Sequence, residues 1–206
     1  MGYKAIALSQ VDGAGGESIG SEVAQKLGFG YLNEGIVAQV AADQKVDPAV
    51  VADAERRRSF LDRVASLAAH GGGQGVAVEA WPNPLDEPDK LLPLIREAVQ
   101  DAAARGNVVL VAHAASYACS EQADVLRVSV TAPVSTRASR VAAAHGISEK
   151  DAAKSVKKSD AGRAAYLKKT YGISSESPSD YDIIINTERL TPNAAVELIV
   201  ALAQSS

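Results

Sequence analysis

Residues 3–27, with the sequence YKAIALSQVDGAGGESIGSEVAQKL, decide which fold the sequence predicts. Residues 3–9 form a short apolar run that is typical of a buried strand. A glycine-rich stretch follows at residues 12–16, and the spacing of Ile19, Val23 and Leu27 then predicts a helix over residues 18–27. A strand, a glycine loop and a helix in this order are the usual setting of a phosphate site in an α/β protein.

Strand-like and helical segments alternate along the rest of the chain. Further strands are predicted at residues 29–32, 108–111, 125–131 and 181–186, and further helices at residues 34–44, from Pro48 onward, and at 90–105, 134–145, 148–171 and 192–203. Because the strands are nearly continuous in valine, isoleucine and leucine, we expect a parallel sheet covered by helices on both faces. The sequence therefore predicts a three-layer α/β fold of about five strands, in one domain spanning residues 1–206. The glycines and prolines of residues 70–90 predict a mobile loop.

The charge of the chain is unevenly distributed. Apolar residues make up 47% of the sequence and charged residues 22%, which excludes a disordered chain and leaves a net charge of −4. Residues 137–169 carry nine basic and three acidic side chains, so this stretch alone is +6 and the remainder is −10. An acidic protein with one basic stretch is not a general nucleic-acid binder, and the pattern favours a small anionic ligand held at one place.

Several other site types are excluded by composition. The single cysteine, Cys119, rules out an intrachain disulfide and cysteine-based metal sites, and its apolar surroundings predict a buried, inert thiol. The three histidines lack metal-ligand spacing. The sequence has no apolar run of membrane-spanning length and no secretory signal, so we expect a cytoplasmic protein without a membrane partner.

The glycine loop does not match either common nucleotide motif. A Walker loop needs a lysine where Gly16 stands and a hydroxyl where Glu17 stands, and the dinucleotide pattern G-x-G-x-x-G needs a glycine at Ser18. Its glycines nevertheless allow backbone N–H groups to converge on an anion at the start of a helix. A plain tight turn between strand and helix remains the alternative. The predicted phosphate-binding residues are Asp12, Gly13, Ala14, Gly15, Gly16, Glu17 and Ser18.

A series of short stretches carries a resemblance that runs through nearly the whole chain. They are SQVDGAGGESI at residues 9–19, YLNE at 31–34, GNVVLVAHA at 106–114, AP at 132–133 with Arg137 and Arg140, then Asp160, Arg163, Tyr166 and YG at 171–172, and finally YDIIINT at 181–187 with RL at 189–190. In this order they resemble the cytidylate kinase-like group of P-loop kinases. No single stretch is specific, and the resemblance rests on the set.

The resemblance implies a P-loop NTPase-like fold with a helical lid at about residues 148–178. It implies ATP and Mg²⁺ as cofactors and a small acceptor such as a nucleoside monophosphate. Arg137, Arg140 and Arg163 would neutralise the transferring phosphoryl group, and Asp160 belongs to the same lid pattern. The resemblance implies no metal ligand set, but Asp12 and Glu17 are the only acidic residues of the loop, and either could act on Mg²⁺ directly or through water.

Three positions depart from the resembled pattern, because Gln10, Glu17 and His113 stand where the group carries arginine. Loss of one such cation costs roughly 10³-fold in comparable phosphoryl-transfer sites. Glu17 would repel phosphate unless Mg²⁺ lies between them. His113 follows a predicted strand at its carboxyl end, where an imidazole suits a base or sugar contact or, when protonated, partly replaces an arginine. A histidine satisfied within the fold is the alternative.

Three functions remain open at this point. The leading one is a nucleotide-binding phosphotransferase that acts on a small-molecule nucleotide and not on nucleic acid. The second is a non-catalytic nucleotide-binding or regulatory module of the same fold that has lost its phosphate-binding cations. The third is a dinucleotide-binding oxidoreductase with Glu34 on the ribose. The sequence leaves the oligomeric state open, including a homo-oligomer.

Overall fold

The computed structural model describes residues 2–33, 35, 66, 88–112 and 114–205. The predicted helices at residues 34–44 and after Pro48, and most of the predicted loop at 70–90, lie outside the described residues. His113 and Glu34 lie outside them as well.

The described part of the chain contains one five-stranded parallel sheet. Its strands are β1 (Ala5–Gln10), β2 (Gly30–Asn33), β3 (Val108–Ala112), β4 (Val125–Thr131) and β5 (Ile183–Asn186), in the order β2-β3-β1-β4-β5. β1 is central, with Ser9 in register with Ala112 of β3 and Ser129 of β4. The prediction of about five parallel strands is confirmed, and the carboxyl ends of β1, β3 and β4 meet at one edge.

Six helices and a short 3-10 turn connect these strands within the described residues. They are α1 (Gly16–Leu27), α2 (Pro88–Arg105), α3 (Ala115–Ala118), α4 (Val134–His145), α5 (Glu149–Tyr171), α6 (Pro192–Gln204) and the turn Pro178–Asp180. α4 has the predicted bounds, and α3 and the turn were not predicted because elements of three or four residues are too short to show a periodicity. No helix in the described ranges is both long and apolar enough to cross a membrane.

Both faces of the sheet are covered, as the apolar strands predict. On one face, Ala7 of β1 and Leu110 of β3 pack with α2 and α3. On the other face, Ile6 and Leu8 of β1 pack with α1 and α6 through residues such as Ile199. The alternation of side chains along β1 thus feeds two separate cores, which gives the three-layer α/β fold.

α5 packs on α4 rather than on the sheet. Ser148 caps its start by accepting a hydrogen bond from the Asp151 N–H at 3.1 Å. Ala152 and Val156 of α5 are fully buried against Ala138 of α4 and its neighbours. This pair of helices brings the basic stretch of residues 137–169 to the end of the sheet that follows β4.

Cys119 lies immediately after α3 and is fully buried. Burial raises the pKa of its thiol to about 12, because the thiolate would lose its hydration. We expect native protein to remain unmodified by iodoacetamide at about pH 8, and protein unfolded in urea to react at its single thiol. Mass spectrometry of both samples checks this, and labelling of the native protein would contradict the buried position.

Candidate active site

The glycine loop joins the central strand β1 to α1. Gly13 and Gly15 adopt left-handed backbone conformations, with φ of 77° and 83°. The Ala14 N–H donates to the Val11 carbonyl at 3.1 Å, which makes the loop a tight turn. Ile19 is the first residue of α1 with a backbone hydrogen bond, to the Gly15 carbonyl at 3.2 Å. Among the described residues, the N–H groups of Gly16 and Ser18 have no backbone acceptor at the start of α1, which is the geometry in which helix N-termini bind anions.

α4 approaches the loop closely at Gly13. A Cβ atom on Gly13 would lie 2.8 Å from the Arg137 carbonyl oxygen and 3.0 Å from the Arg137 Cβ. Glycine is therefore required at position 13 for two reasons: its φ is positive, and there is no room for a Cβ atom. This contact fixes where the start of α4 lies relative to the loop.

We expect Gly13→Ala to destabilise the protein by about 3 kcal/mol, because strain at positive φ adds to overpacking against α4. Gly146→Ala is the matched control, since Gly146 also has a positive φ, of 64°, but no atom within 4 Å of the added Cβ. The control should lose only about 1 kcal/mol. Urea unfolding of both variants measures the difference, and equal losses would argue against the close contact.

Arg137 is 4% exposed and links three parts of the site. Its Nε donates to the Ala132 carbonyl at 2.9 Å, and its Nη1 to the Asp12 carbonyl at 3.0 Å. Nη1 and Nη2 also form a bidentate pair with the Asp160 carboxylate, at 2.9 and 2.7 Å. Four contacts from one guanidinium thereby tie the end of β4, the glycine loop and α5 together.

Arg140 lies one turn further along α4 and also faces the loop. It donates to the Thr187 hydroxyl at 2.9 Å and to the Thr187 carbonyl at 2.7 Å. Longer contacts of 3.4 and 3.5 Å reach the carbonyls of Gly13 and Ala14. The two arginines of α4 therefore stand beside the loop, as their spacing after a strand end predicts.

The carbonyls that these arginines approach determine where the loop amides point. The C=O and N–H of one trans peptide point in opposite directions. Because the Asp12 and Ala14 carbonyls face α4 and Thr187, the N–H groups of Gly13 and Gly15 face away from them. The arginines thus carry positive charge to the outer side of the loop, and the N–H groups of Gly13 and Gly15 lie on the other side. Direct contact of Arg137 and Arg140 with a phosphate stays a prediction.

Arg163 lies in a different cluster. It is 7% exposed, and its Nε and Nη2 pair with the Glu176 carboxylate at 3.2 and 2.5 Å. Burial is the largest single influence and lowers the pKa of Arg163, but Glu176 together with Tyr181 and Tyr117 outweighs it, so the pKa lies above its usual value. Nη1 is buried without a hydrogen-bond partner in the part of the chain that the structure describes. None of its described hydrogen bonds goes to the loop, so the structure does not group Arg163 with Arg137 and Arg140.

The loop's own acidic residues are the remaining candidates for a metal. The described residues hold no group of three ligand-type side chains. Mg²⁺ needs only one or two carboxylates when substrate phosphates complete its shell, so Asp12 and Glu17 fit a metal that arrives with a nucleotide. The charge of Glu17 reaches Tyr31, whose pKa is raised to about 12 by burial and then by this carboxylate.

Gln10 and Ser18 complete the loop. A Cβ on Gly16 would lie 2.6 Å from the Gln10 Oε1, so a neutral carboxamide covers the first residue of α1. The Ser18 hydroxyl donates to the Gly15 carbonyl at 3.0 Å and closes the first turn.

Thr187 is not among the predicted site residues, but the structure places it where it supports the glycine loop. It is 4% exposed, and its hydroxyl donates to the Ala14 carbonyl at 2.9 Å. The signal that pointed toward it was its position directly after the last predicted strand, at the edge of the sheet that carries the loop.

The sheet order, the glycine loop after the central strand and the helices on both faces define a three-layer α/β fold of the P-loop NTPase-like kind. Residues 5–189 match the Cytidylate kinase-like family. The chain belongs to that family, and the resemblance read from the sequence is confirmed.

Two curated relatives illustrate the family. A cytidylate kinase of Ignicoccus hospitalis is 34% identical over 115 residues, which is 56% of this chain and 66% of that protein, just under two thirds of its length. A cytidylate kinase of Natronomonas pharaonis is 25% identical over 189 residues, which is 91% of this chain and 83% of that protein.

Two solved structures share the fold. An uncharacterised protein from Eubacterium ventriosum has a TM-score of 0.66 at 17% identity, with 98% of each chain covered. Shikimate kinase from Bacteroides thetaiotaomicron has a TM-score of 0.52 at 13% identity, with 95% of each chain covered. At these identities the likeness concerns the fold alone.

Proposed function

We propose that this protein is a nucleotide-binding phosphotransferase that moves the γ-phosphoryl group of ATP to a small acceptor such as a nucleoside monophosphate. The observation that carries the proposal is the glycine loop at the start of α1, whose outer carbonyls are bound by Arg137 and Thr187. Membership of the cytidylate kinase-like family supports it.

The loop binds the donor phosphates in this proposal. The N–H groups of Gly13 and Gly15 lie on the side of the loop that faces away from Arg137 and Thr187, and those of Gly16 and Ser18 lie at the start of α1. Such amides bind phosphate oxygens without a lysine, and the dipole of the 12-residue α1 adds to the attraction. Ser18 offers a hydroxyl at the same helix end.

The positive charge of the site comes from α4 and α5. Phosphoryl transfer asks the protein mainly to position the phosphates and to neutralise charge that spreads over the equatorial oxygens. Arg137 and Arg140 supply two guanidinium groups on the outer side of the loop. In the proposal their charge acts on the phosphates across the loop and compensates for the arginines that are absent at Gln10 and Glu17. Asp160 positions Arg137 through its bidentate pair.

Arg163 is the proposed lid arginine. It lies three residues after Asp160 on α5, so its Cβ is about one helical turn from the carboxylate that is tied to Arg137. Nη1 of Arg163 has no hydrogen-bond partner among the described residues, and because it is buried, α5 must expose it before it can meet a phosphoryl oxygen. In the proposal, α5 brings this group to the transferring phosphoryl.

Mg²⁺ would accompany the nucleotide and, when bound, would neutralise the charge between its phosphate oxygens. Asp12 and Glu17 are the residues that would hold it. Because the two relatives are cytidylate kinases, cytidine monophosphate is the first acceptor to test. Contact of His113 with the acceptor stays a proposal, as does a cytoplasmic location.

A non-catalytic nucleotide-binding module is the second candidate, and specific observations favour it. Gln10 and Glu17 leave the loop without a cation of its own, and the strongest contacts of all three arginines are already made to protein acceptors. A protein of this kind would bind nucleotide and not turn it over.

A thermal-shift panel tests the binding half of the proposal. We expect ATP with Mg²⁺, at a hundredfold excess over its dissociation constant, to raise the melting temperature by about 5–10 °C, because it binds the native state only. NADH serves as the control for the dinucleotide alternative. A shift with NADH and none with ATP would overturn the proposal, and ATP binding without transfer to any nucleoside monophosphate would select the non-catalytic module.

A further inference from the structure

Thr187 directly follows β5 and joins three elements of the site. Its N–H donates to the Thr131 carbonyl at 2.9 Å, which continues the pairing of β5 with β4. Its hydroxyl donates to the Ala14 carbonyl at 2.9 Å, and it accepts from Arg140 Nη1 at 2.9 Å. Its carbonyl accepts from Arg140 Nη2 at 2.7 Å. Thr187 thus holds the loop to the sheet and to α4 at once.

The Thr187 hydroxyl makes two hydrogen bonds that an apolar side chain cannot make. It has one proton and two nearby carbonyls, Ala14 at 2.9 Å and Thr131 at 3.3 Å. The shorter distance indicates that the Thr187 hydroxyl donates to the Ala14 carbonyl, and a lone pair of the same oxygen then accepts from Arg140. Because the group acts as donor and acceptor together, serine is the one small residue that preserves both contacts.

The Ala14–Gly15 peptide is the part of the loop most in need of such a restraint. Gly15 has a φ of 83°, and glycine takes positive and negative φ with similar ease. Rotation of this peptide would turn the Gly15 N–H out of the anion site and bring the Ala14 oxygen in. The Arg140 contact to this oxygen, at 3.5 Å, is too long to prevent that alone.

We infer that Thr187 is a positioning residue, which holds the Ala14–Gly15 peptide so that the Gly15 N–H points at the donor phosphates. The inference rests on the proposed function, since it takes the loop to be the phosphate site. Thr187 touches no nucleotide itself and acts through the Ala14 carbonyl. Loss of the Thr187 hydroxyl should therefore weaken ATP binding and leave binding of the acceptor unchanged.

The test compares Thr187→Val, which keeps the shape and removes the hydroxyl, with Thr187→Ser, which keeps the hydroxyl. In ligand-free protein, amide hydrogen exchange over residues 12–18 should be faster for the valine variant and unchanged for the serine variant. With ATP and cytidine monophosphate, the valine variant should show a KM for ATP about tenfold higher. Its KM for cytidine monophosphate should stay within about twofold of the wild type. Thr187→Ala gives the same comparison if the valine variant does not fold.

The outcomes distinguish the role of Thr187 from the proposed function. Wild-type loop exchange and an unchanged KM for ATP in the valine variant would overturn the role of Thr187 and leave the proposed function standing. Equal losses in the serine and valine variants would show that the methyl group, not the hydroxyl, matters, and would also overturn it. If wild-type protein binds no ATP, the proposed function fails, and the exchange measurement alone decides whether Thr187 holds the loop.

Discussion

Arg137→Ala should lower the free energy of unfolding by about 3 kcal/mol and abolish nucleotide binding. The substitution removes four contacts of a 4% exposed guanidinium and leaves the Asp160 carboxylate without its partner. Breaking such a pair costs about 3–5 kcal/mol when both members are buried. We expect the lower end because the Asp160 side chain is 33% exposed and regains water. For a chain of this size, the melting temperature should fall by about 6–12 °C.

Two variants separate the charge of Arg137 from its geometry. Arg137→Lys keeps the charge and loses the planar fork that reaches Ala132, Asp12 and Asp160 together, so it should recover less than half of the lost stability. Asp160→Asn keeps the shape of the partner but leaves the buried guanidinium without its counter-charge, so it should cost about 2–3 kcal/mol. Urea unfolding of the three proteins provides the comparison. A loss below about 1 kcal/mol for Arg137→Ala would show that α4 is not tied to the loop in this way.

Arg163→Ala should lower kcat by roughly 10³-fold while the fold is retained. The size of the effect is that of an arginine that neutralises transferring phosphoryl charge. The fold should survive because Glu176 keeps its hydrogen bond from the Tyr181 hydroxyl after the guanidinium is gone. Steady-state kinetics with ATP and cytidine monophosphate, together with a circular dichroism spectrum, measure both quantities.

Glu176→Gln is the matched control for Arg163. It breaks the same ion pair, at 2.5 Å, but leaves the arginine in place. If Arg163 serves the reaction, the glutamine variant should keep kcat within about threefold of the wild type. If both variants lose activity equally, the ion pair matters only for the shape of α5, and Arg163 is a structural residue.

The sequence predicts the layers of this protein well because they depend on local patterns. Apolar runs locate β3 and β4, and the glycine and proline signals around α4 give its bounds to the residue. The cap of α5 is likewise a short-range signal, from Ser148 to Asp151. Parallel order then follows from strands that are apolar throughout.

The contacts that hold the glycine loop in place join residues that are far apart in the chain. No local sequence pattern predicts such contacts. Thr187 reaches Ala14 across 173 positions in the chain, and Arg137 reaches Asp12 across 125. The i to i+3 spacing of Arg137 and Arg140 predicts that both face one way, but it does not say that loop carbonyls receive their hydrogen bonds. The pairing of Arg163 with Glu176 depends in the same way on how the end of α5 packs.

The central claim is that the loop at residues 12–18 and the arginines of α4 and α5 transfer phosphate. The most direct measurement incubates the wild-type protein with Mg²⁺, γ-labelled ATP and cytidine monophosphate or another nucleoside monophosphate, and separates the products. We expect the label to appear in a nucleoside diphosphate with wild-type protein and to be lost with Arg163→Ala. Bound ATP with no labelled diphosphate from any nucleoside monophosphate would contradict the claim.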